Sequence, residues 1–545
     1  MTDKKSLKWL YNKSKKQHFN ILMLVLTNAV FSVLSVLFAL IVKYVIDGAV
    51  TGDRDKLVYG SIAICVVVLL QFVFRIVNKG IEEYIGGKLE ISFRTYIFSK
   101  IFKKKYEKIS TQHSGELMNK LSSDVTVVCE GITQILPVVL SAIVRLVCSI
   151  VALLMIDGVF ALAFLVAGLL VFGISSLMRV KIKFFHKKTQ ETGGKVRAYM
   201  QENIENLLAV KVFSGEDKVL DRARELQDEN FKIKMKKRNY SVLGHSSFHL
   251  IASVGYVFAL IYGGAIIFNG GALSYGDLSA ILQLVNNVQM PFMTFSMVIP
   301  KFFSMISSAE RLIEIEEMEE EREFSKIDAK KTYETMSSIN FENVTFAYDR
   351  DRVLDGFNFT VNKGEIVAIT GASGIGKSTL FKLLLGVYGL GDGKITINTD
   401  SGEIQAGAST RTLFSYVPQG NMLFSGTIKE NLLFINPEAS DEKIARAIKI
   451  SQAEEFLGEL PLGLDTVIGE KGHGLSEGQL QRLALARAIL SGAPVMLLDE
   501  ATSALDEKTE RKVLENLKAL SDVTVLIVTH KKAALEVCDK KIELT

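Results

Sequence analysis

Long apolar stretches dominate the first 305 residues of the chain. Six of them are free of charged residues or carry only one, and they lie at 19–42, 58–74, 131–156, 158–178, 250–276 and 278–300. A hydrocarbon core about 30 Å thick requires about 20 helical residues, and lipid admits only segments whose backbone groups bond internally. The pattern therefore predicts six transmembrane helices, at about 19–46, 57–78, 131–156, 158–180, 245–268 and 277–303.

Basic residues are distributed unevenly around these spans. Six lysines precede the first span, and the connections between spans two and three and between spans four and five are rich in lysine and arginine. The connections on the opposite side are short and carry few basic residues. The positive-inside rule then predicts that both termini are cytoplasmic. We interpret the lysines as topology signals, not as a nucleic-acid site. Membrane lipid is expected to surround the spans.

The two connections on the cytoplasmic side, at 79–125 and 179–243, keep helical periodicity with many charges. Connections of this length usually carry structure or function. We expect the membrane helices to continue into the cytosol as amphipathic rods. The turns between these rods are predicted at 110–118 and 211–218.

Composition agrees with a membrane protein and narrows the chemistry. Apolar residues make up 48% of the chain and the mean hydropathy is +0.25, which is too apolar for an ordinary soluble enzyme. The 64 Lys and Arg nearly balance the 60 Asp and Glu, which argues against a global polyanion-binding surface. The four cysteines lie far apart, so they support neither a zinc knuckle nor a disulfide scaffold.

The composition changes after the sixth span. A charged helical segment at 307–324 is followed by a linker at 325–338, and strands then alternate with helices to the end of the chain. Such alternation predicts an α/β domain with a largely parallel sheet. The predicted organisation is a helical membrane domain at 1–324, the linker at 325–338 and an α/β domain at 339–545.

A phosphate-binding loop follows the second predicted strand of the α/β domain. The motif G-x-x-x-x-G-K-[ST] stands between a strand and a helix, in the context that it requires. Lys377 is expected to reach the β- and γ-phosphates of ATP, and Ser378 to ligate Mg²⁺. The expected ATP-contacting residues of the loop are Gly371, Ala372, Ser373, Gly374, Ile375, Gly376, Lys377, Ser378 and Thr379.

A later predicted strand of this domain, at 494–500, is apolar and ends in two adjacent carboxylates. Asp499 fits a ligand of the magnesium ion, and Glu500 fits the group that polarises the attacking water. The two motifs together predict a P-loop ATPase.

The sequence between these two motifs resembles a known family. The string Leu475-Ser476-Glu477-Gly478-Gln479 closely resembles the signature of ATP-binding cassette (ABC) proteins. Other motifs of the family follow in the expected order, at Tyr348, Gln419, 503–506 and His530. With six preceding spans, almost the whole chain resembles an ABC exporter half-transporter.

The resemblance implies a role for each matching residue. Tyr348 would stack on adenine, and Gln419 would sense Mg²⁺ and the attacking water. His530 would bond the γ-phosphate, and Asp506 would communicate across a dimer. The signature, Leu475 to Gln479, would act on ATP bound to a partner chain, and Glu477 stands where the commonest form has glycine. We expect activity to survive this difference.

The resemblance also implies a dimer, since each chain carries one cassette. A homodimer is favoured because the phosphate loop, Glu500, His530 and a near-consensus signature are all present, and a heterodimer with a second half-transporter is the alternative. The turns at 110–118 and 211–218 would be coupling helices, and 469–472 would be the exporter-specific loop.

We predict an ATP-hydrolysing exporter of a peptide, a lipid or another amphipathic substrate, in a bacterial cytoplasmic membrane. The alternatives are an importer on an exporter-like fold, as for metal chelates, and an ATP-gated channel or regulatory ABC protein. Polar residues within spans are costly and often mark a pathway. The candidates for a substrate cavity are Arg145, Asn286, Asn287 and Gln289.

Overall fold

The structure is a computed structural model that describes residues 2–112, 114–321, 325–348, 351–372, 374–420, 423–469, 474–520 and 522–544. The chain forms two compact units. The membrane unit comprises Met1–Phe102 and Gln112–Met318, and the ATPase unit comprises Lys103–Thr111 and Glu319–Thr545. The boundary between the two units thus lies at Met318, before the predicted linker. The segment Lys103–Thr111, from the first half of the chain, belongs to the ATPase unit.

The first half of the chain is helical. Its helices are α1 Thr2–Lys13, α2 His18–Thr51, α3 Arg54–Ile101, α4 Tyr106–Ser110, α5 Ser114–Asn119, α6 Val125–Ile156, α7 Gly158–Glu205, α8 Leu207–Val212, α9 Glu216–Phe268 and α10 Tyr275–Glu317. A π-helical turn, Lys120–Asp124, joins α5 to α6. The long helices α3, α7 and α9 extend from apolar spans into the charged connections, as the sequence predicted for the amphipathic rods.

Five helical stretches in the described part of the chain are long and apolar enough to cross a membrane. They are Lys15–Thr51, Arg54–Ile101, Ser114–Ile156, Glu216–Phe268 and Tyr275–Glu317, and a shorter apolar stretch, Gly158–Ile174, begins α7. The prediction of a polytopic helical membrane domain is thereby confirmed, with five or six apolar helices.

Local sequence signals set the ends of these helices. Gly52, at φ +70°, ends α2, and the Asp53 side chain accepts from the backbone N–H groups of Asp55 and Lys56 to begin α3. Ser274 and Asp277 form a capping box at the start of α10. Lys43 then pairs with Asp277 at 2.6 Å, which fastens α2 to α10.

The sixth span and the charged segment after it form one continuous helix, α10, instead of two elements. The extension buries Ile306, Leu312 and Ile315 in a cluster with side chains of α3 and α6. Arg311 also pairs with the nearly buried Asp124 at 2.5 Å. The charged segment is therefore the amphipathic end of α10, with its apolar face packed against other helices and its charges on the opposite face.

The turn between the first two rods differs from its predicted position. Lys103–Thr111, which contains α4, belongs to the ATPase unit, whereas α5 lies in the membrane unit. Backbone bonds explain this assignment, because Lys105 N–H donates to Glu319 O at 3.1 Å and Glu321 N–H donates to Lys103 O at 2.8 Å. The second predicted turn lies between α8 and the start of α9.

The described residues of the ATPase unit form three sheets. The strands are β1 Met336–Tyr348, β2 Asp351–Asn362, β3 Ile366–Gly371, β4 Asp392–Thr399, β5 Gly402–Gln405, β6 Phe414–Val417, β7 Gly426–Thr427, β8 Val467–Ile468, β9 Val495–Asp499, β10 Thr524–Val528 and β11 Lys540–Leu544. The helices are α11 Ala329–Thr335, α12 Lys377–Leu384, α13 Ile428–Leu433, α14 Asp441–Ile450, α15 Glu454–Glu459, α16 Glu477–Leu490, α17 Glu507–Lys518 and α18 Lys532–Val537.

A parallel five-stranded sheet, in the order β11-β3-β10-β9-β6, forms the centre of this unit. Every residue of β9 and β10 is buried, as is usual for parallel strands covered on both faces. This confirms the predicted α/β domain. A separate antiparallel sheet, β2-β1-β4-β5, was not predicted from the sequence. Its first strand, β1, begins inside the region expected to be a linker.

Candidate nucleotide-binding site

The phosphate-binding loop leaves β3 at the carboxyl edge of the parallel sheet. Gly371, Gly374 and Gly376 have φ of +144°, +83° and +105°, which favours glycine at all three positions. A Cβ on Gly371 would lie 2.7 Å from Leu544 O, and one on Gly376 would lie 2.5 Å from a methyl of Val353. The backbone geometry of the loop therefore requires the glycines of the motif. Ser373 lies outside the described residues.

Lys377 begins α12 and is buried, although its side chain is charged. Its Nζ donates to Gly371 O at 2.8 Å and to Ala372 O at 3.0 Å. Buried cations need such partners. The ammonium is consequently held inside the loop whose backbone N–H groups would contact phosphate.

Asp499 ends β9 and receives two hydrogen bonds. Ser378 Oγ donates to Oδ1 at 2.9 Å, and Tyr416 Oη, from the neighbouring strand β6, donates to Oδ2 at 3.1 Å. Burial raises the pKa of Asp499, and the two donors partly offset this effect. Tyr416 was not among the predicted site residues, although its position three residues before Gln419 on a predicted extended segment was a signal.

The oxygen atoms of Ser378 and Asp499 suit a hard cation such as Mg²⁺. No group of three or more His, Cys, Asp or Glu side chains that could hold a metal occurs among the described residues. Mg²⁺ in proteins is commonly bound by one or two carboxylates together with substrate phosphates and water. The residues at the end of β9 therefore fit Mg²⁺ that arrives with a nucleotide.

Glu500 follows Asp499 and adopts φ +52°, a left-handed conformation that is rare for a residue with a side chain. Its N–H donates to Val528 O at 3.2 Å, and its Oε2 accepts from Gln419 Nε2 at 2.8 Å. Backbone conformations of this kind occur preferentially at functional sites. Glu500 and Gln419, which are 81 positions apart in the sequence, are thus brought into contact.

Tyr348 ends β1 and stands beside the loop. Its hydroxyl lies 3.2 Å from Thr379 Oγ1, on the first turn of α12. Tyr388 meets the Tyr348 ring edge to face, with centroids 5.3 Å apart, and Tyr106 of α4 meets Tyr388 at 6.0 Å. Tyr388 and Tyr106 were not among the predicted site residues, because nothing in their local sequence marks them.

The signature is the first turn of α16. Ser476 is the N-cap residue, and Gln479 reaches back to the Ser476 N–H at 2.8 Å, which completes a capping box. A Cβ on Gly478 would lie 3.0 Å from Ala504 O, so the helix approaches the 503–506 loop closely. Leu475 is half-buried, whereas Ser476 and Glu477 are exposed. The exposed side chains are available to another molecule.

His530 and Asp506 lie on two loops that Lys531 connects. His530 is exposed after β10, and Asp506 caps α17, where hydrogen bonds from Thr509 lower its pKa. Lys531 Nζ donates to Leu505 O at 2.5 Å and Thr502 O at 3.0 Å. Lys531 was not identified from the sequence, since a lysine after a strand usually faces solvent.

The four candidate cavity residues have different immediate surroundings. Asn286 is exposed, and Asn287 Nδ2 lies 3.4 Å from Ser35 O of α2. Gln289 is buried on another side, where its Nε2 lies 3.1 Å from the Cβ position of Gly255 in α9. Within the described residues, Arg145 Nε is buried without a hydrogen-bond partner.

Comparisons with known proteins agree with this arrangement. The ABC transporter transmembrane region family matches residues 19–292, and the ABC transporter family matches residues 354–503. An ATP-dependent lipid A-core flippase of Desulfotalea psychrophila is 29% identical, over 98% of this chain and 94% of its own. An uncharacterized ABC transporter ATP-binding protein of Bacillus subtilis is 30% identical, over 93% of this chain and 88% of its own.

The same fold occurs in a solved structure, that of a bacterial Atm1-family ABC exporter with ATP bound. Its TM-score is 0.84 at 23% identity, and the match covers 97% of this chain and 94% of that chain.

Proposed function

This chain belongs to the ABC transporter family, and on that premise we propose that it is half of an ATP-driven exporter in a bacterial cytoplasmic membrane. The chain is an integral multi-pass membrane protein whose ATPase domain binds and hydrolyses ATP to drive transport. Both termini would be cytoplasmic, as the basic residues indicate.

One observation carries the proposed catalytic assignment. The ends of β3, β6 and β9 bring Lys377, Gln419, Asp499 and Glu500 to one edge of the parallel sheet. Lys377 would exchange its two carbonyl acceptors for phosphate oxygens. Ser378, Asp499 and Gln419 would hold Mg²⁺, which would neutralise charge on the phosphates. The other residues that would bind ATP are Tyr348, Gly371, Ala372, Ser373, Gly374, Ile375, Gly376 and Thr379.

Glu500 would take the proton of the attacking water. The Gln419 amide fixes the orientation of the Glu500 carboxylate at 2.8 Å, and His530 would orient the same water from the end of β10. General-base catalysis typically contributes about 10²–10⁴-fold to the rate. Closure of two cassettes around ATP would exclude bulk water from this site.

The signature would complete the site of a second chain. Ser476 is exposed, and its capping box gives the first turn of α16 a defined geometry before any partner binds. Leu475, Glu477, Gly478 and Gln479 belong to the same turn, and Asp506 would carry the contact between chains. We favour a homodimer because one chain holds all these groups. Mass measurement of the purified protein in nanodiscs distinguishes a dimer from a monomer that requires another half-transporter.

Similarity over nearly the whole chain to a protein named a lipid A-core flippase supports an amphipathic, lipid-like cargo. The direction of transport follows from an assay in inside-out vesicles. An exporter accumulates its substrate in them only with ATP, whereas an importer does not.

The catalytic assignment is tested with Glu500→Gln. The amide can still accept from Gln419, so ATP binding should persist while hydrolysis falls by about 10²–10⁴-fold. Glu507→Gln removes a nearby exposed carboxylate and should leave the rate unchanged. Undiminished turnover by Glu500→Gln would remove Glu500 from the role of base.

A further inference from the structure

A groove in the membrane unit lies apart from all the residues discussed above. It has a volume of about 680 Å³ and is formed by α1 and by segments of α2, α6 and α10. Its walls are mainly aliphatic and aromatic, with Leu10, Ile21, Ile135, Val139 and Phe302 among them. The volume lies in the range of about 300–1,000 Å³ that is typical of small-molecule sites.

Helix α1 is held in place as one wall of this groove. Trp9 Nε1 donates to Glu316 near the end of α10, and Lys13 donates to the same carboxylate at 3.2 Å. Lys5 pairs with the neighbouring Glu317 at 2.5 Å. These contacts occupy one side of α1, so Leu7, Leu10 and Tyr11 on the groove side form a fixed wall.

The groove has a polar end where α1 turns into α2. Ser14 and His18 line it there, and their side chains lie 3.2 Å apart. His18 Nε2 is also 3.0 Å from Tyr11 O, and the two rings are 4.4 Å apart. Ser14 and His18 immediately precede the apolar part of the first span. The groove therefore runs from a polar end at the membrane boundary to an apolar wall at membrane depth.

Exposed lysines lie within and before this polar end in the sequence. Lys15 and Lys16 lie between Ser14 and His18, and Lys4 and Lys8 lie on α1. All four are exposed, and no ion pair involves any of them in the part of the chain that the structure describes. Exposed basic residues next to a membrane helix attract anionic lipid. The charge of the groove's rim is thus complementary to an anionic headgroup.

We propose that this groove binds one anionic glycerophospholipid of the cytoplasmic leaflet. An acyl chain lies against Ile135, Val139 and Phe302, and the headgroup phosphate lies at Lys15 and Lys16. The lipid is a bound component that fastens α1 to the membrane helices, not the transported substrate. The inference depends on the proposed cytoplasmic N-terminus and is independent of the catalytic assignment, because it uses no residue of the ATPase unit.

The chain supplies its own reporter, because Trp9 is its single tryptophan and belongs to the helix that forms the groove wall. The full-length protein is placed in phosphatidylcholine nanodiscs that contain a small fraction of acyl-brominated lipid. Bromine quenches a nearby indole, so brominated phosphatidylglycerol should quench Trp9 more strongly than brominated phosphatidylcholine at the same mole fraction.

Two variants and one control separate a site from general lipid contact. Lys15→Gln with Lys16→Gln should lower the selectivity for phosphatidylglycerol by about fivefold per lysine, or about 25-fold together. Val139→Phe should fill the groove and reduce quenching by the anionic lipid while the lysines remain. Lys330→Gln with Lys331→Gln removes the same charge from exposed positions in the ATPase unit and should change nothing.

Equal quenching by the two brominated lipids in the unsubstituted protein would overturn the proposal. So would selectivity that survives loss of Lys15 and Lys16, since the lysines would then serve only as topology signals. An unchanged Trp9 emission maximum in bromine-free nanodiscs shows that each variant keeps α1 in place. These results do not depend on ATP hydrolysis, so loss of the lipid site and failure of the proposed catalytic function can be told apart.

Discussion

Replacement of Lys531 by methionine should destabilise the ATPase unit, because it removes the cation that compensates the buried carboxylate of Glu510. Glu510 is fully buried in α17, and Lys531 Nζ lies 3.7 Å from its Oε2. Thr502 donates to the other carboxylate oxygen at 2.7 Å, whereas Oε2 has no hydrogen-bond partner in the described residues. Methionine is apolar and leaves this carboxylate without its nearest cation.

The size of the effect follows from burial. Removal of one member of a buried ion pair costs about 3–5 kcal/mol, because the remaining charge is uncompensated. The Lys531 side chain is 34% exposed, so water screens part of the interaction and the lower end, about 3 kcal/mol, applies. For a unit of this size, that loss lowers the melting temperature by about 6–12 °C.

The effect should also depend on pH. Burial raises the pKa of Glu510, and the hydrogen bond from Thr502 and the charge of Lys531 lower it in part. Loss of Lys531 therefore raises this pKa further. A carboxyl group whose pKa is raised by folding contributes most to the stability of the fold at pH values below its unfolded pKa of about 4.3. This contribution is lost as the pH rises through the folded pKa. The deficit of Lys531→Met should thus be smaller at acidic pH than at neutral pH.

Scanning calorimetry of the full chain in nanodiscs measures the change. The transition of the ATPase unit is recognised by its upward shift with a non-hydrolysable ATP analogue. Lys531→Met combined with Glu510→Gln should recover much of the loss, since no buried charge remains. The exposed neighbour provides the control, and Lys532→Met should melt as the unsubstituted protein does. A single variant that melts within about 1 °C of the unsubstituted protein, or no recovery in the double variant, would refute the reasoning.

Three further predictions concern other parts of the chain. Burial raises the pKa of Glu316, but hydrogen bonds from Tyr96, Trp9 and Lys13 outweigh burial and lower it. The attachment of α1 should therefore persist above the ordinary glutamate range and loosen as pH falls through the lowered pKa, seen as a red shift of Trp9 emission. Glu316→Gln should show the shift at neutral pH, and a pH-independent emission would contradict this. Lys377→Ala should weaken ATP binding by about 10–150-fold, because hydrogen bonds to charged groups contribute about 1.5–3 kcal/mol, whereas unchanged affinity would remove its phosphate role. Arg145→Ala should lower substrate-stimulated ATPase activity and leave basal hydrolysis unchanged, and undiminished stimulation by substrate would remove Arg145 from this role.

The features that the sequence predicted are those with a local physical cause. Gly371 and Gly376 are required by the backbone of one short loop, so their spacing is visible in the chain itself. Ser476 and Gln479 complete a capping box within four residues, and the signature can therefore be recognised without the fold. The apolar stretches are set by the thickness of a bilayer, which makes them countable from sequence.

Tertiary structure decided which distant groups meet. Tyr416 contacts Asp499 because β6 pairs with β9 in parallel, and Lys531 spans two loops because β10 ends beside the chain that follows β9. Parallel strands are joined by long crossovers, so the residues at one sheet edge come from segments far apart in the chain.

The continuity of α10 and the place of Lys103–Thr111 also depended on packing. The charged end of α10 has one apolar face, and only neighbouring helices could show that this face is buried. The periodicity of apolar residues in a helix predicts that one face is buried, but it does not predict which elements pack against that face.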